Sequence, residues 1–158
     1  MRIISPLSSL LLLSSLGHSQ QLHYLVDSLP ITGNSFGVDA AGLGDLNSDG
    51  FDDFVVGAPY TSTPNTNNKR GAIHVYSGVD GSLLFEVMGT EDGGNFGFSL
   101  DAAGDANGDG IMDILAGSPA GEPSMPLRVG KAHILSGLDG STLRTLDGTF
   151  PGGLFGWS

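Results

Sequence analysis

Two acidic loops carry the residue types and the spacing that suit a metal ion. In each loop, oxygen-bearing side chains stand at positions 1, 3, 5 and 9, and a glycine stands at position 6. The glycine allows the sharp turn that points the next carbonyl inward, and an all-oxygen ligand set favours Ca²⁺. The sequence therefore predicts two structural calcium sites. The predicted ligands are Asp45, Asn47, Asp49, Asp53 and the carbonyl of Phe51 in the first loop, and Asp105, Asn107, Asp109, Asp113 and the carbonyl of Ile111 in the second.

Two alternatives explain these loops less well. An EF-hand requires a bidentate Glu at position 12, where this sequence has Val56 and Ala116. The same two residues count against a dockerin module. An acidic β-turn that binds nothing is the simpler alternative, since Asp-Gly pairs form turns well. A turn alone does not require carboxylates at positions 1, 5 and 9 in both copies.

Both loops lie inside a unit that occurs about twice. A Phe-Gly pair recurs at residues 36, 96 and 155, with spacings of 60 and 59 residues, and the features between the pairs keep one order. Such a period is typical of repeat architectures. We place the first repeat at 36–95, the second at 96–154 and the start of a third at 155–158.

The elements that must position the loops are short strands. In each repeat, apolar and β-branched runs alternate with Gly, Pro and Asp-Gly turn signals, and helical periodicity is missing. We predict an all-β fold of β-propeller blades, each with four antiparallel strands. Two repeats and the opening of a third do not close a ring, so we expect further blades, or self-association, to complete the propeller.

The N-terminal residues predict where the protein is located, and the composition restricts which partners it binds. Residues 1–19 combine Arg2, an apolar run and small residues at a cleavage site, which predicts a secretory signal peptide; a membrane anchor is less favoured because Pro6 and serines interrupt the run. Residues 20–35 resemble the outer strand of a preceding or closing blade. The net charge of −11 and the pI near 4.3 argue against nucleic acid as a partner.

The repeats resemble FG-GAP repeats, which occur in integrin α subunits and in secreted bacterial proteins. The resemblance rests on residues 36–37, 44–53 and 57–59 and on their counterparts 96–97, 104–113 and 117–119, where Ser118 replaces alanine. It implies a seven-bladed propeller with Ca²⁺ between the first two strands of a blade. It also implies adhesion, or recognition of an extracellular protein or glycan, rather than a fixed reaction. We expect an N-terminal part of a longer secreted protein, or a truncated frame.

Other candidate sites are weaker. His74 and His133 occupy equivalent positions, and we interpret them as half-exposed strand residues rather than catalytic groups. The connectors 59–70 and 119–129 differ most between the repeats, which is typical both of recognition loops and of solvated linkers. The sequence thus predicts a secreted, non-enzymatic binding module. The alternative is the accessory propeller of an exported hydrolase or lyase whose catalytic domain lies outside this chain.

Overall fold

The computed structural model describes residues 35–119 and 129–158. These residues form eight β-strands and no helix. The predicted signal peptide, the predicted strand within 20–35 and most of the connector 119–129 lie outside the described residues. The strands are β1 (Ala40–Gly44), β2 (Asp53–Ala58), β3 (Ala72–Tyr76), β4 (Leu83–Met88), β5 (Leu100–Gly104), β6 (Asp113–Ser118), β7 (Lys131–Leu135) and β8 (Thr142–Asp147).

The strands form two four-stranded antiparallel sheets, and each sheet follows the order of the chain. The first has the order β1-β2-β3-β4 and the second β5-β6-β7-β8. Equivalent bulges interrupt the first strand pair of each sheet, next to the register pairs Gly44↔Asp53 and Gly104↔Asp113. This up-and-down meander is the arrangement of a propeller blade, so the predicted fold class is confirmed.

The turn signals account for the hairpin ends. Asp80-Gly81 and Asp139-Gly140 lie between the last two strands of their sheets, as predicted. The turns are longer than the two-residue type: Ser77 donates its N–H to the Ser82 carbonyl at 2.9 Å, which leaves four residues in the loop. Gly81 has φ of +73° and closes that loop where a residue with a side chain would be strained.

A single hydrophobic core lies between the two sheets. Its buried members come from both: Leu43, Val55, Ile73 and Val75 from the first sheet, and Phe96, Leu100, Ile114, Ala116 and Leu135 from the second repeat. The faces of neighbouring sheets bury each other, which is how repeats that cannot enclose a core alone gain stability.

The Phe-Gly pairs at 96 and 155 each dock on the sheet of the repeat before them. Phe96 donates its N–H to the Arg70 carbonyl at 2.9 Å, and a Cβ added to Gly71 would lie 2.2 Å from the Phe96 carbonyl oxygen. Phe155 takes the same place on the second sheet, where its carbonyl oxygen would lie 1.9 Å from a Cβ added to Gly130. Phe96 is buried, as predicted for packing between blades, whereas Phe155 is 42% exposed.

The described residues contain no helix with the length and apolar character to cross a membrane.

Candidate metal centre

Each acidic loop connects the first two strands of its sheet. The loop leaves the sheet after Gly44 or Gly104, both of which have positive φ, and it returns at Asp53 or Asp113. The strands on both sides are paired, so both ends of the loop are fixed. The predicted mounting of the loop between two strands is confirmed.

The first loop is organised by its own carboxylates. Asp45 accepts the N–H of Asp49 at 3.0 Å on one oxygen and the N–H of Gly50 at 2.8 Å on the other. Asn47 Oδ1 also accepts the Asp49 N–H, at 2.9 Å, and Asp49 Oδ1 accepts the Phe51 N–H at 2.9 Å. Positions 1, 3 and 5 therefore turn their oxygens toward the inside of one tight loop.

The second loop repeats this pattern. Asp105 accepts the N–H groups of Asp109 at 3.0 Å and Gly110 at 2.9 Å, and Asp109 Oδ1 accepts that of Ile111 at 2.8 Å. Asp105 Oδ1 also accepts the Gly108 N–H at 2.7 Å. In addition, the side-chain amide of Asn107 donates to Asp109 Oδ2 at 2.8 Å.

The position-9 carboxylates are buried and tie the loop to the turn between the third and fourth strands. Asp53 is 1% exposed; its Oδ2 accepts the Leu46 N–H at 2.8 Å, and its Oδ1 accepts the Gly78 N–H at 3.0 Å. Asp113 is fully buried and makes the equivalent contacts with Ala106 at 2.7 Å and with the N–H of residue 137 at 3.2 Å.

Sequence reasoning missed the part played by the turn between the third and fourth strands. Ser77 Oγ donates to Asp49 Oδ2 at 3.1 Å, so this turn supports the acidic loop directly. A Cβ on Gly78 would lie 1.9 Å from the Asp52 carbonyl oxygen, which requires a glycine there. The signal was present, because Ser-Gly recurs at residues 136–137.

The pKa shifts of the exposed Asp49 and the buried Asp53 have opposite directions. The hydrogen bond from Asn47 lowers the pKa of Asp49, with further help from the Phe51 N–H and the Ser77 hydroxyl. Burial raises the pKa of Asp53, and the N–H groups of Gly78 and Leu46 only partly oppose it. A buried carboxylate with a raised pKa gains from a nearby cation.

The donor types fit Ca²⁺, but the carboxylates of a loop do not converge on one point. Across 35–119 and 129–158, no three Asp, Glu or His side chains are arranged to hold a metal ion. The oxygens that accept the loop N–H groups keep further lone pairs, and oxygen is the atom type that Ca²⁺ prefers. The ten predicted ligands, including the Phe51 and Ile111 carbonyls, therefore stay a prediction.

The two histidines differ in exposure. His74 is only 3% exposed, so its interpretation as half-exposed is wrong: it packs edge-on against Phe36 at 5.5 Å and stacks with Tyr76 at 6.3 Å. His133 is half-buried, as expected, and burial followed by the charge of Lys131 lowers its pKa. Leu135 stands where the first repeat has Tyr76, so His133 lacks that covering ring.

Comparisons with known proteins agree with the architecture. The FG-GAP repeat model matches residues 36–76 and 96–124. Integrin alpha-2 of Mus musculus is 36% identical over 106 residues, which are 61% of this chain and 9% of that protein. Integrin alpha pat-2 of Caenorhabditis elegans is 40% identical over 91 residues (52% and 7%), and human integrin alpha-8 is 43% identical over 84 residues (49% and 8%). The chain thus spans less than a tenth of the length of these relatives. Residues 36–76 and 96–124, which contain both acidic loops, are thus FG-GAP repeats, and about half of the chain is similar to integrin α chains.

Proposed function

We propose that this chain is a secreted, Ca²⁺-stabilised β-propeller module that mediates adhesion by binding an extracellular protein or glycan. The proposal includes export through residues 1–19 and assigns no reaction to the described residues. The observation that carries it is the double occurrence of one acidic loop, fixed in the same way between the first two strands of each sheet. Similarity to integrin α chains supports the adhesive role.

Calcium would act on the loop as a structural ion. Asp45, Asp49 and Asp53 bring three carboxylates to one end of the sheet, and repulsion by the negative charge of Asp49 already helps to raise the pKa of Asp53. When bound, Ca²⁺ supplies two positive charges that neutralise this repulsion. The loop residues themselves hold the turn, because their backbone N–H groups already fix the carboxylates.

A calcium titration by calorimetry on residues 20–158 tests this role. We expect two ions per chain and a higher melting temperature in Ca²⁺ than in EDTA. A ligand at 100 times its Kd stabilises by about 2.7 kcal/mol per site. Asp49→Ala and Asp109→Ala should each remove one site.

Asp52 provides a matched control in the first loop. It is exposed and acidic, and it lies at position 8, outside the predicted ligand set. Asp52→Ala should keep two ions per chain. If Asp49→Ala also keeps two ions with unchanged affinity, the ligand assignment is wrong. If the wild-type chain melts cooperatively and binds no calcium, the acidic loops are turns only.

We place the recognition surface at the opposite end of the sheet from the acidic loop. Connector 59–70 joins β2 to β3 there, and three contacts hold it in shape. Asn68 donates to Asp92 at 3.0 Å, Arg70 donates to the same carboxylate at 2.6 Å, and Lys69 lies 5.9 Å from the Tyr60 ring centroid. A pre-ordered loop loses little conformational freedom when it binds, which favours affinity.

The exposed tip of this connector provides the test. Asn65 and Asn67 are exposed, and Asn65 has φ of +64°, so glycine at 65 together with alanine at 67 should leave the melting temperature nearly unchanged. Arrays of glycans and of extracellular-matrix proteins would be probed with the wild-type chain, with the double variant and with Asp52→Ala. Loss of a hit in the double variant alone supports the assignment. Retention of every hit places recognition elsewhere.

A further inference from the structure

Asn107-Gly108 is a chemically distinctive pair, and it lies inside the second acidic loop. It is the one Asn-Gly pair in the sequence, and the equivalent pair in the first loop is Asn47-Ser48. Glycine lacks the side chain that hinders attack by its own backbone nitrogen on a preceding asparagine. Both residues are exposed, so water reaches them.

Three hydrogen bonds hold the reacting groups of this pair. Gly108 donates its N–H to Asp105 Oδ1 at 2.7 Å. The Asn107 side chain is held at both ends, because its Oδ1 accepts the Asp109 N–H at 2.9 Å and its Nδ2 donates to Asp109 Oδ2 at 2.8 Å. The nucleophilic nitrogen and the amide carbon that it would attack are therefore each fixed to a different partner.

These bonds slow the reaction in the folded loop. The Gly108 nitrogen must lose its proton before it attacks, and the neighbouring Asp105 carboxylate makes an anion at that nitrogen more costly. The Asn107 amide must also rotate away from Asp109. Both changes require the loop to open.

We propose that Asn107 is a site of spontaneous deamidation, controlled by opening of the second acidic loop. The Gly108 nitrogen forms a bond to Cγ of Asn107, and Nδ2 leaves as ammonia with the proton that the nitrogen gave up. Water then opens the cyclic imide at either carbonyl. The net change is one water consumed and one ammonia released, and the product at position 107 is aspartate or isoaspartate.

The product changes the contacts of the loop. The amide that donates to Asp109 becomes a carboxylate, so an attractive contact becomes a repulsive one. The chain gains one negative charge beyond its formal −11. Isoaspartate also lengthens the backbone by one carbon between two of the predicted ligands, Asp105 and Asp109. In the loop without a bound ion, deamidation thus replaces an attractive contact by a repulsive one and loosens the turn.

The test compares folded and unfolded chain at mildly alkaline pH. The full chain is incubated in buffer and in concentrated urea, and the peptide that contains residues 105–113 is followed by mass spectrometry. Circular dichroism confirms the β-sheet signal in buffer. We expect deamidation at Asn107 to be faster in urea by at least about tenfold, since the folded loop reacts only in its opened minority. Equal rates, or an unreactive Asn107 in urea, would overturn the proposal.

The first repeat supplies matched variants. Ser48 has φ of +63° at the position equivalent to Gly108 (φ +81°), so the loop accepts a serine there. Gly108→Ser should suppress the reaction in urea, and Ser48→Gly should create a second reactive pair at Asn47. Asp105→Ala removes the acceptor of the Gly108 N–H and should raise the rate in buffer toward that in urea. An unchanged rate for Asp105→Ala would refute control by the loop.

Discussion

The glycines at the junction between the sheets give the sharpest test of the packing. Gly57 lies in β2, and a Cβ added there would lie 2.1 Å from the Gly97 carbonyl oxygen and 3.4 Å from Cδ1 of Leu100. Real Cβ contacts essentially never fall below 3.0 Å. Gly57→Ala must therefore separate two backbones by about 0.9 Å, the difference between those distances, at a place where Gly97 also donates its N–H to the Gly117 carbonyl at 2.9 Å.

Overpacking of this kind costs about 1–3 kcal/mol, and more when backbone must move. Each kcal/mol lowers the melting temperature by roughly 4–8 °C for a domain of 60–100 residues. Urea unfolding would be followed by circular dichroism and by fluorescence of Trp157, which packs against Phe98 with ring centroids 4.3 Å apart and ring planes 37° apart. We expect a lower midpoint with an unchanged slope, since the exposed area on unfolding stays the same.

Gly42→Ala is the matched control. Gly42 lies in β1 of the same sheet, and an added Cβ there meets nothing within 4 Å. Its stability should change by less than about 1 kcal/mol. Gly117→Ala should behave like Gly57→Ala, because its Cβ would lie 2.1 Å from the Gly156 carbonyl oxygen. If Gly57→Ala unfolds at the same urea concentration as Gly42→Ala, the close approach of the two repeats is wrong.

Four further substitutions probe the second repeat and the residues that pack on it. Phe96→Ala should lower the free energy of unfolding by about 3–5 kcal/mol, because it leaves a cavity at a buried site. Phe155→Ala should lower it by clearly less, since Phe155 is 42% exposed. Urea unfolding of both variants checks the difference. Lys131→Met removes the ion pair that Lys131 makes with Glu91 of the first repeat, and it should lower the free energy of unfolding by at most about 1 kcal/mol. Thermal melts in low and high salt check this, because salt screens the ion pair and the loss should therefore be smaller in high salt. Because the pKa of His133 is lowered in the folded chain, the unfolded chain binds the extra proton first as the pH falls. The free energy of unfolding should therefore decrease as the pH drops through the region just below 6.5. In His133→Gln, the urea midpoint should depend less on pH in that region.

Much of the local structure could be predicted because it depends on neighbours in sequence. Apolar and β-branched runs between turn residues predict strands, and two such runs, 72–76 and 83–88, coincide with β3 and β4. The acidic loops also follow from local spacing, since Asp45 bonds to residues only four and five positions away. Short-range hydrogen bonds of this type need no information about the rest of the fold.

Contacts between distant residues escaped prediction. Asp53 reaches the N–H of Gly78, 25 residues away, and Ser77 reaches Asp49 across 28 residues. Both contacts exist because β2 and β3 pair in a register that brings the first loop and the next turn to one end of the sheet. The different exposure of His74 and His133 has a similar origin, since it depends on which ring or charge the neighbouring strand places beside each.

The Phe-Gly pairs show that the sequence repeat and the folded sheet are offset from each other. The backbone of Phe96 fills the space that Gly71 leaves open, and the Phe96 Cβ would lie 2.7 Å from a Cβ added to Gly89. Its ring, however, packs edge-on against His133 of its own repeat at 5.4 Å. One residue therefore joins two sheets, with its main chain on one and its side chain on the other. A sheet gains its full set of contacts only when the next Phe-Gly pair is in place, so neighbouring repeats should unfold together rather than one by one.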